Sequence, residues 1–371
     1  MKVKTIALFL VAILVTGLFA GCTPAPKEEL KIGMIGPLSG DYASYGLSTK
    51  KGIEIAIDEI NKAGGIDGKL LKLIAEDSKG VPADAALAAN KLIDVDGVVA
   101  IMGPVLSGET KTVAELADGS NVIVFSSSAT ATGIPDISDF VFRNCLTDDV
   151  QAAQIIEYAV EELDAKKVAI LYAKNDYGDA LRAAAESKAR DLQVLVAVES
   201  YTDGESDFSA VLTSIKRKQP DTLFIGGYYT EAARIAQQAL TQDMNVQLLG
   251  ADGFYSPVLI ELGGDSVEGA VFTAGFYPGD PSADVQAFIT AFKAKFNEDP
   301  DMFAAQAYDA MKIVAAAIDA GAGDPAAIRQ AILDTTDYPG VSGKTSFQAN
   351  GDVNKEALIL KVENGVFEKA R

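Results

Sequence analysis

From residue 30 to residue 126, short apolar runs alternate with longer stretches whose apolar residues recur every three or four positions. Leu30–Ile35, Leu70–Ala75, Val98–Met102 and Val122–Phe125 have the length and continuity of buried strands. Between them, Ser44–Lys62 (with Ile53, Ile57 and Ile60 on one face), Ala83–Ile93 and Thr110–Ala117 have helical spacing. Gly64-Gly65 and Gly68 punctuate the change from the first helix to the next strand. Repeated β-α-β-α predicts a parallel sheet with helices on both faces.

Phe140–Asn144 reads as leaving that sheet, because a second series begins straight afterwards. Its predicted helices are Asp148–Leu163, Ala180–Arg190, Phe208–Lys216 and Glu231–Leu240. Its strands are Lys167–Tyr172, Val194–Ser200, Thr222–Gly226, Val246–Gly250 and Val271–Thr273. Helices at Ala283–Phe296, Ala304–Ala320 and Pro325–Leu333 are expected to return and cover the first half. Thr345–Lys369 then reads as closing antiparallel strands, with turns at Asn350-Gly351 and Asn364-Gly365. The fold class is therefore α/β, in two similar lobes.

Chemistry collects where the first half's strands end. Gly103-Pro104 stops the Val98–Met102 run, and a helix resumes after Ser107. The free N–H groups of that helix start form an anion site, strengthened by the helix dipole. Ser107 either caps the helix or faces a ligand. The neighbouring run ends in the same way, in Ser126-Ser127-Ser128-Ala129-Thr130. Open α/β sheets bind ligands outside the carboxyl ends of their strands, so two adjacent hydroxyl-rich turns point to a carboxylate clamp. Glu76-Asp77, also at a strand end, reads as solvated charge, since adjacent strand residues point to opposite sides.

Composition narrows the choice. The 371 residues are 49% hydrophobic, enough for two cores, and carry a formal charge of −20, which argues against nucleic acid or an anionic membrane surface as partner. There is no histidine, so the commonest general base and metal ligand is missing. Two cysteines are too few for the usual zinc sites. No P-loop, nucleophile elbow or dinucleotide-binding glycine motif is present. The chain reads as non-enzymatic, with no cofactor and no metal. At the N-terminus, Lys2 and Lys4 precede an apolar run from Ile6 to Val15 and then Thr16–Cys22, the form of an export signal. Ala20-Gly21-Cys22 resembles the bacterial lipobox, which marks Cys22 as the lipidation site; ordinary signal cleavage nearby is the alternative, since Phe19 stands where that motif prefers leucine. Cys145 then has no disulfide partner and reads as a small buried residue.

Several motifs in order carry a resemblance over essentially the whole mature chain: Gly36-Pro37-Leu38-Ser39-Gly40 with Tyr45-Gly46, and Ile60-Asn61-Lys62-Ala63-Gly64-Gly65-Ile66-Asp67-Gly68. Later come Asn175-Asp176-Tyr177-Gly178, Asp207-Phe208-Ser209, Gly226-Gly227-Tyr228 and Gly250-Ala251-Asp252-Gly253. Together they resemble the type I periplasmic binding proteins that deliver branched-chain amino acids to an ABC importer. That resemblance implies two Rossmann-like lobes joined by three crossovers, near 144–149, 275–278 and 339–341. It divides the chain into a signal segment 1–22, a tether 23–29, lobe one from 30–146 and 277–340, and lobe two from 147–276 and 341–371.

The resemblance also implies a ligand set. Ser107, with Ser128 and Thr130, matches the clamp on the ligand's α-carboxylate. Tyr177, Tyr228 and Asp252 match the second lobe's contribution, with Asp252 facing the α-ammonium where the branched-chain members carry glutamate. Tyr45 matches an aromatic wall, with Tyr229 and Phe254 as neighbours, and Ser78 and Leu106 stand near positions that hold a disulfide in some relatives. Read singly, the tyrosines could cover sheet edges and Asp252 could cap a turn. As a set they complement a zwitterionic amino acid. An amide, urea or aromatic-acid ligand, or a sensor role, remains open on the same fold. The expected partners are a free amino acid and a membrane permease, with the protein exported and held by its lipid.

Overall fold

A computed structural model describes residues 28–370; the signal segment and Cys22 lie outside the described residues. The first half forms β1 (Glu29–Gly36), α1 (Ala43–Lys62), β2 (Leu70–Asp77), α2 (Pro82–Asn90), β3 (Ala100–Met102), α3 (Ser107–Ser120), β4 (Ile123–Ser126) and β5 (Val141–Arg143). These five strands lie parallel in the order β2-β1-β3-β4-β5. Val141–Arg143 thus does not leave the sheet as expected. It pairs with Val124–Ser126 and closes the edge. Helix α3 starts at Ser107, ahead of the expected Thr110, because its first turn is polar and shows no apolar period.

The second half forms α4 (Asp148–Glu161), β6 (Val168–Ala173), α5 (Asp176–Asp191), β7 (Leu195–Tyr201), α6 (Ser209–Lys216), β8 (Thr222–Gly226), α7 (Tyr229–Thr241), β9 (Gln247–Gly250), a short α8 (Pro257–Gly263) absent from the sequence expectation, and β10 (Val271–Ala274). Then follow α9 (Ala283–Phe296), α10 (Met302–Gly321), α11 (Pro325–Leu333), a small ribbon of β11 (Tyr338–Gly340) and β12 (Gly343–Thr345), and finally β13 (Leu358–Glu363) and β14 (Val366–Lys369). The second sheet runs β14-β13-β10-β9-β8-β6-β7. Its parallel part, β7-β6-β8-β9-β10, repeats the first sheet's order strand for strand, although the two halves share no clear sequence repeat.

Alternation along β1 explains the layers of lobe one. Ile32 and Met34 face one way, onto Ile53 and Ala56 of α1 and Met311 and Val314 of α10. Ile35 faces the other way, with Ile101 and Val124, onto Ala85 and Ala89 of α2 and Val113 of α3. Helices α10 and α11 do return to the first lobe, where Ile318, Ile328 and Ile332 join the same core.

The chain crosses between lobes after β5, after β10 and again before β13. The last crossing falls later than the expected 339–341. Phe347 packs edge-on against Phe125 and Phe142 of lobe one, and Asp352 holds Arg143 through two bonds of 2.7 Å. Buried aromatic surface and a bidentate ion pair keep this stretch on lobe one until Leu358 enters the second sheet. The Asn364-Gly365 turn has both residues at positive φ, as a two-residue hairpin requires. Asn350-Gly351 turns only an isolated bridge between Phe347 and Val353. Among the described residues no helix is long and apolar enough to cross a membrane.

Candidate functional site

Each sheet has one strand, β1 or β6, flanked by the two strands that follow it in sequence, so that the winding changes direction there. Ligand crevices form outside the carboxyl ends of the strands at such a switch point. Here the two crevices face each other. The segments that follow β1, β3 and β4 carry Tyr45, Ser107 and Ser128; those that follow β6, β8 and β9 carry Tyr177, Tyr228 and Asp252. These six residues line one cavity between the lobes. Val105, Leu106 and Phe303 complete its apolar wall.

Two glycines set this geometry. Gly46 and Gly178 follow Tyr45 and Tyr177 in the first turns of α1 and α5. A Cβ on Gly46 would stand 2.0 Å from the Pro37 carbonyl oxygen, and one on Gly178 2.1 Å from that of Ala173. Each helix can therefore press onto the end of its strand and push the preceding tyrosine into the cleft.

On lobe one, Ser107 neither lies in the turn nor caps the helix. It is the first residue of α3; Leu106 holds the cap position, and the Glu109 carboxylate accepts from the Leu106 N–H at 3.3 Å. The Ala131 N–H donates to Ser107 Oγ at 3.2 Å, tying the two hydroxyl-rich loops together. Ser126 Oγ donates to the Pro104 carbonyl (2.6 Å) and Ser128 Oγ to that of Val105 (2.8 Å). The start of α3, whose first N–H groups have no acceptor within the helix, borders the cavity through Leu106 and Ser107. Thr130 is fully buried but lies outside the cavity lining, and its hydroxyl has no hydrogen-bond partner of normal geometry among the described residues.

On lobe two, Tyr177 is held in the first turn of α5, whose Asn175 cap accepts from the Gly178 N–H at 2.8 Å. Tyr177 Oη donates to Asp252 Oδ1 (2.8 Å) and accepts from the Gly253 N–H (2.9 Å). Its ring stacks on Tyr228 with centroids 5.0 Å apart and planes within 6°. Burial raises the Asp252 carboxyl to about 6, against the opposing hydrogen bonds from Tyr177 and Gln151. Gln151 Oε1 in turn accepts from the Asp252 N–H at 3.2 Å and from Thr273 Oγ1 at 2.7 Å.

The lobes are shut on each other. Tyr45 Oη donates to the Gly253 carbonyl and accepts from the Tyr229 N–H, and its ring lies 4.4 Å from Phe303. Tyr229 Oη and Thr230 Oγ1 both donate to the Asp41 carbonyl, at 2.7 and 3.1 Å. Outside the cavity Lys111 meets Asp176 at 2.6 Å. Tyr229 is therefore a lobe-to-lobe contact, not a cavity wall, and Phe254 packs away from the cavity against Phe272. Phe303 was missed by sequence reasoning: it enters from α10, far along the chain, with no local signal. Asp148 and Gln151 were missed as well, since they lie within the pattern of an ordinary helix. Cys145 is fully buried beside Ala129, which pushes its thiol well above the usual range. Asp77, for all its partial desolvation, is held below the usual carboxylate range by bonds from Ser39, Lys79 and Leu38, so it ties loops together on the surface.

A two-lobed α/β protein with a closed interlobe cavity, hydroxyls and helix N–H groups on one wall and an acid with aromatics on the other, defines a solute-binding class. The family model described as "Periplasmic binding protein" matches residues 29–366, and the chain belongs to that family. It is 33% identical to the Leu/Ile/Val-binding protein BraC3 of Rhizobium johnstonii over 97% of each chain. Among solved structures it is similar to a leucine-binding protein from Thermotoga maritima (30% identity, TM-score 0.88, 92% of this chain and 98% of that one). It is also similar to a branched-chain amino acid transporter substrate-binding protein from Streptococcus pneumoniae in complex with isoleucine (34% identity, TM-score 0.86, the same shares).

Proposed function

We propose that this chain is an exported, non-catalytic binding protein that captures an aliphatic amino acid between its lobes and presents it to an ABC importer. Ser107 and Ser128, with the first N–H groups of α3, hold the α-carboxylate on lobe one. Asp252, steadied by Tyr177, holds the α-ammonium on lobe two, and Tyr45, Tyr228 and Phe303 enclose the side chain. The supporting observation is Asp252 itself, a buried acid in a closed cavity whose wall supplies no cation. A buried carboxylate needs a charged partner, and a zwitterion brings one along with the anion that the opposite wall accommodates. Closure follows from the ligand bridging both walls. Lipidation at Cys22, with a tether over 23–29, would keep the protein at the membrane face where the permease sits.

Thermal-shift screening of amino acids against amides and organic acids tests the ligand class. Leucine, isoleucine or valine should raise the melting temperature, and benzoate or acetamide should not. A response to the organic acids alone would overturn the reading. For the anchor, Cys22→Ser should move the protein from the membrane fraction to the soluble one.

A further inference from the structure

The lobe-one wall is held from behind by a group that the capture mechanism has not used. Arg143 ends β5 and is fully buried. Its Nε and Nη2 donate to the two oxygens of Asp352, both at 2.7 Å, and its Nη1 donates to the carbonyls of Ala129 and Ala131 at 3.1 and 2.8 Å. Those alanines stand on either side of Thr130, whose carbonyl accepts from the Asp148 N–H at 3.0 Å. Three consecutive carbonyls of the hydroxyl-rich loop are thus pinned, and each peptide N–H is fixed with the carbonyl of its own plane. The Ala131 N–H is one of these, and it donates to Ser107 Oγ at 3.2 Å. Because Ser107 accepts that bond, its own proton is left to donate into the cavity it lines. Contacts therefore run without a gap from Asp352 through Arg143 and Ala131 to Ser107.

The plain role of Arg143 is to fasten the third crossover, and its pair with Asp352 does so. That role needs only the two bonds to Asp352; the two from Nη1 go to the clamp loop instead. A buried ion pair also adds little net stability once its desolvation is counted. What a guanidinium supplies is direction, since one rigid planar fork fixes a carboxylate and two carbonyls together. We propose that Arg143, anchored by Asp352, is a positioning residue for ligand capture. It fixes the Ala129–Ala131 loop so that Ala131 bonds Ser107 and the Ser107 hydroxyl proton is turned to the ligand's carboxylate. Arg143 itself lies outside the cavity lining and touches no ligand.

This inference rests on the amino-acid reading above, and its test separates the two. Leucine is titrated by calorimetry into the mature wild type, Asp352→Asn, Arg143→Lys and Ser107→Ala, and into Ser107→Ala combined with each of the other two. Asparagine keeps a carbonyl acceptor for the guanidinium and lysine keeps the charge, but neither keeps the paired fork. Alone, Asp352→Asn and Arg143→Lys should each weaken leucine binding about three- to tenfold. With Ser107→Ala already in place, each should cost less than about twofold, because the hydroxyl it positions is gone. Equal losses in the two backgrounds would make Arg143 a fastener of the crossover alone and overturn the inference, as would unchanged affinity in the single variants; either leaves the amino-acid site standing. No binding of leucine, isoleucine or valine by the wild type would overturn both. Thermal melts show whether each variant is folded. Should the buried substitutions prevent folding, NMR of the wild type reads the Arg143 Nε–H directly. Leucine should shift that resonance, and one indifferent to leucine would refute the positioning.

Discussion

The two lobes share one strand order and opposite chemistry. Lobe one closes its strands with small residues: Ser107, Ser126 and Ser128 bind backbone groups, and what they leave for a ligand is a helix N-terminus. Lobe two closes the corresponding strands with Tyr177, Tyr228 and Asp252, large side chains that hold one another. The first is a rigid backbone dipole, cheap to bury because its groups are already partnered. The second is a desolvated charge fixed by a phenol. An identical frame thus gives one wall that suits an anion and one that suits a cation, and the ligand must carry both.

That contrast is open to attack from either side. Replacing Asp252 with Ala should have the largest effect on binding, about 10- to 100-fold, because a charge-assisted bond is worth about 1.5–3 kcal/mol; calorimetry with leucine reads it, and unchanged affinity would dissolve the difference between the walls. Gly46→Ala and Gly178→Ala probe the shared frame. Each sets a Cβ against a backbone carbonyl, so each should cost about 1–3 kcal/mol of stability in thermal melts, and a neutral result at one would show that the lobes are not framed alike. Ser107→Ala should weaken binding only about two- to tenfold, since the N–H groups of α3 remain.

Proton linkage distinguishes the walls in another way. Asp252 stays protonated up to about 6 in the folded chain, against an ordinary aspartate near 4 when unfolded. The folded state therefore binds more protons between those values, and the stability this confers at low pH is lost as pH rises through about 6. Asp301, also near 6, and Glu109, near 7, act in the same direction, each chiefly through burial. The melting temperature of the ligand-free protein should fall from about pH 5 to 7.5, more steeply than that of Asp252→Asn. Smallest of all, Lys111→Ala removes a half-exposed pair across the cleft mouth and should change affinity by about twofold or less.

Much of this was legible along the chain. The β-α periodicity located nearly every strand and helix, and the glycine and hydroxyl clusters marked the loops that reach the cleft. What failed did so for identifiable reasons. Val141–Arg143 is too short a run to reveal its place at a sheet edge. The stretch 341–353 stays with lobe one through Phe347 and Asp352, whose partners lie some two hundred residues earlier. Thr130, expected in the clamp, is buried outside the cavity lining, and Asp148 showed no unusual pattern along the chain.

By itself, the order of apolar and polar residues determined two α/β lobes, the strand ends that bear function and the residue types found there, because periodicity and turn chemistry are local. The closing of Tyr45 onto Gly253, the entry of Phe303 from a distant helix and the full burial of Asp148 were decided only in three dimensions. Desolvation and packing depend on distance through space, and spacing along the chain carries no record of it.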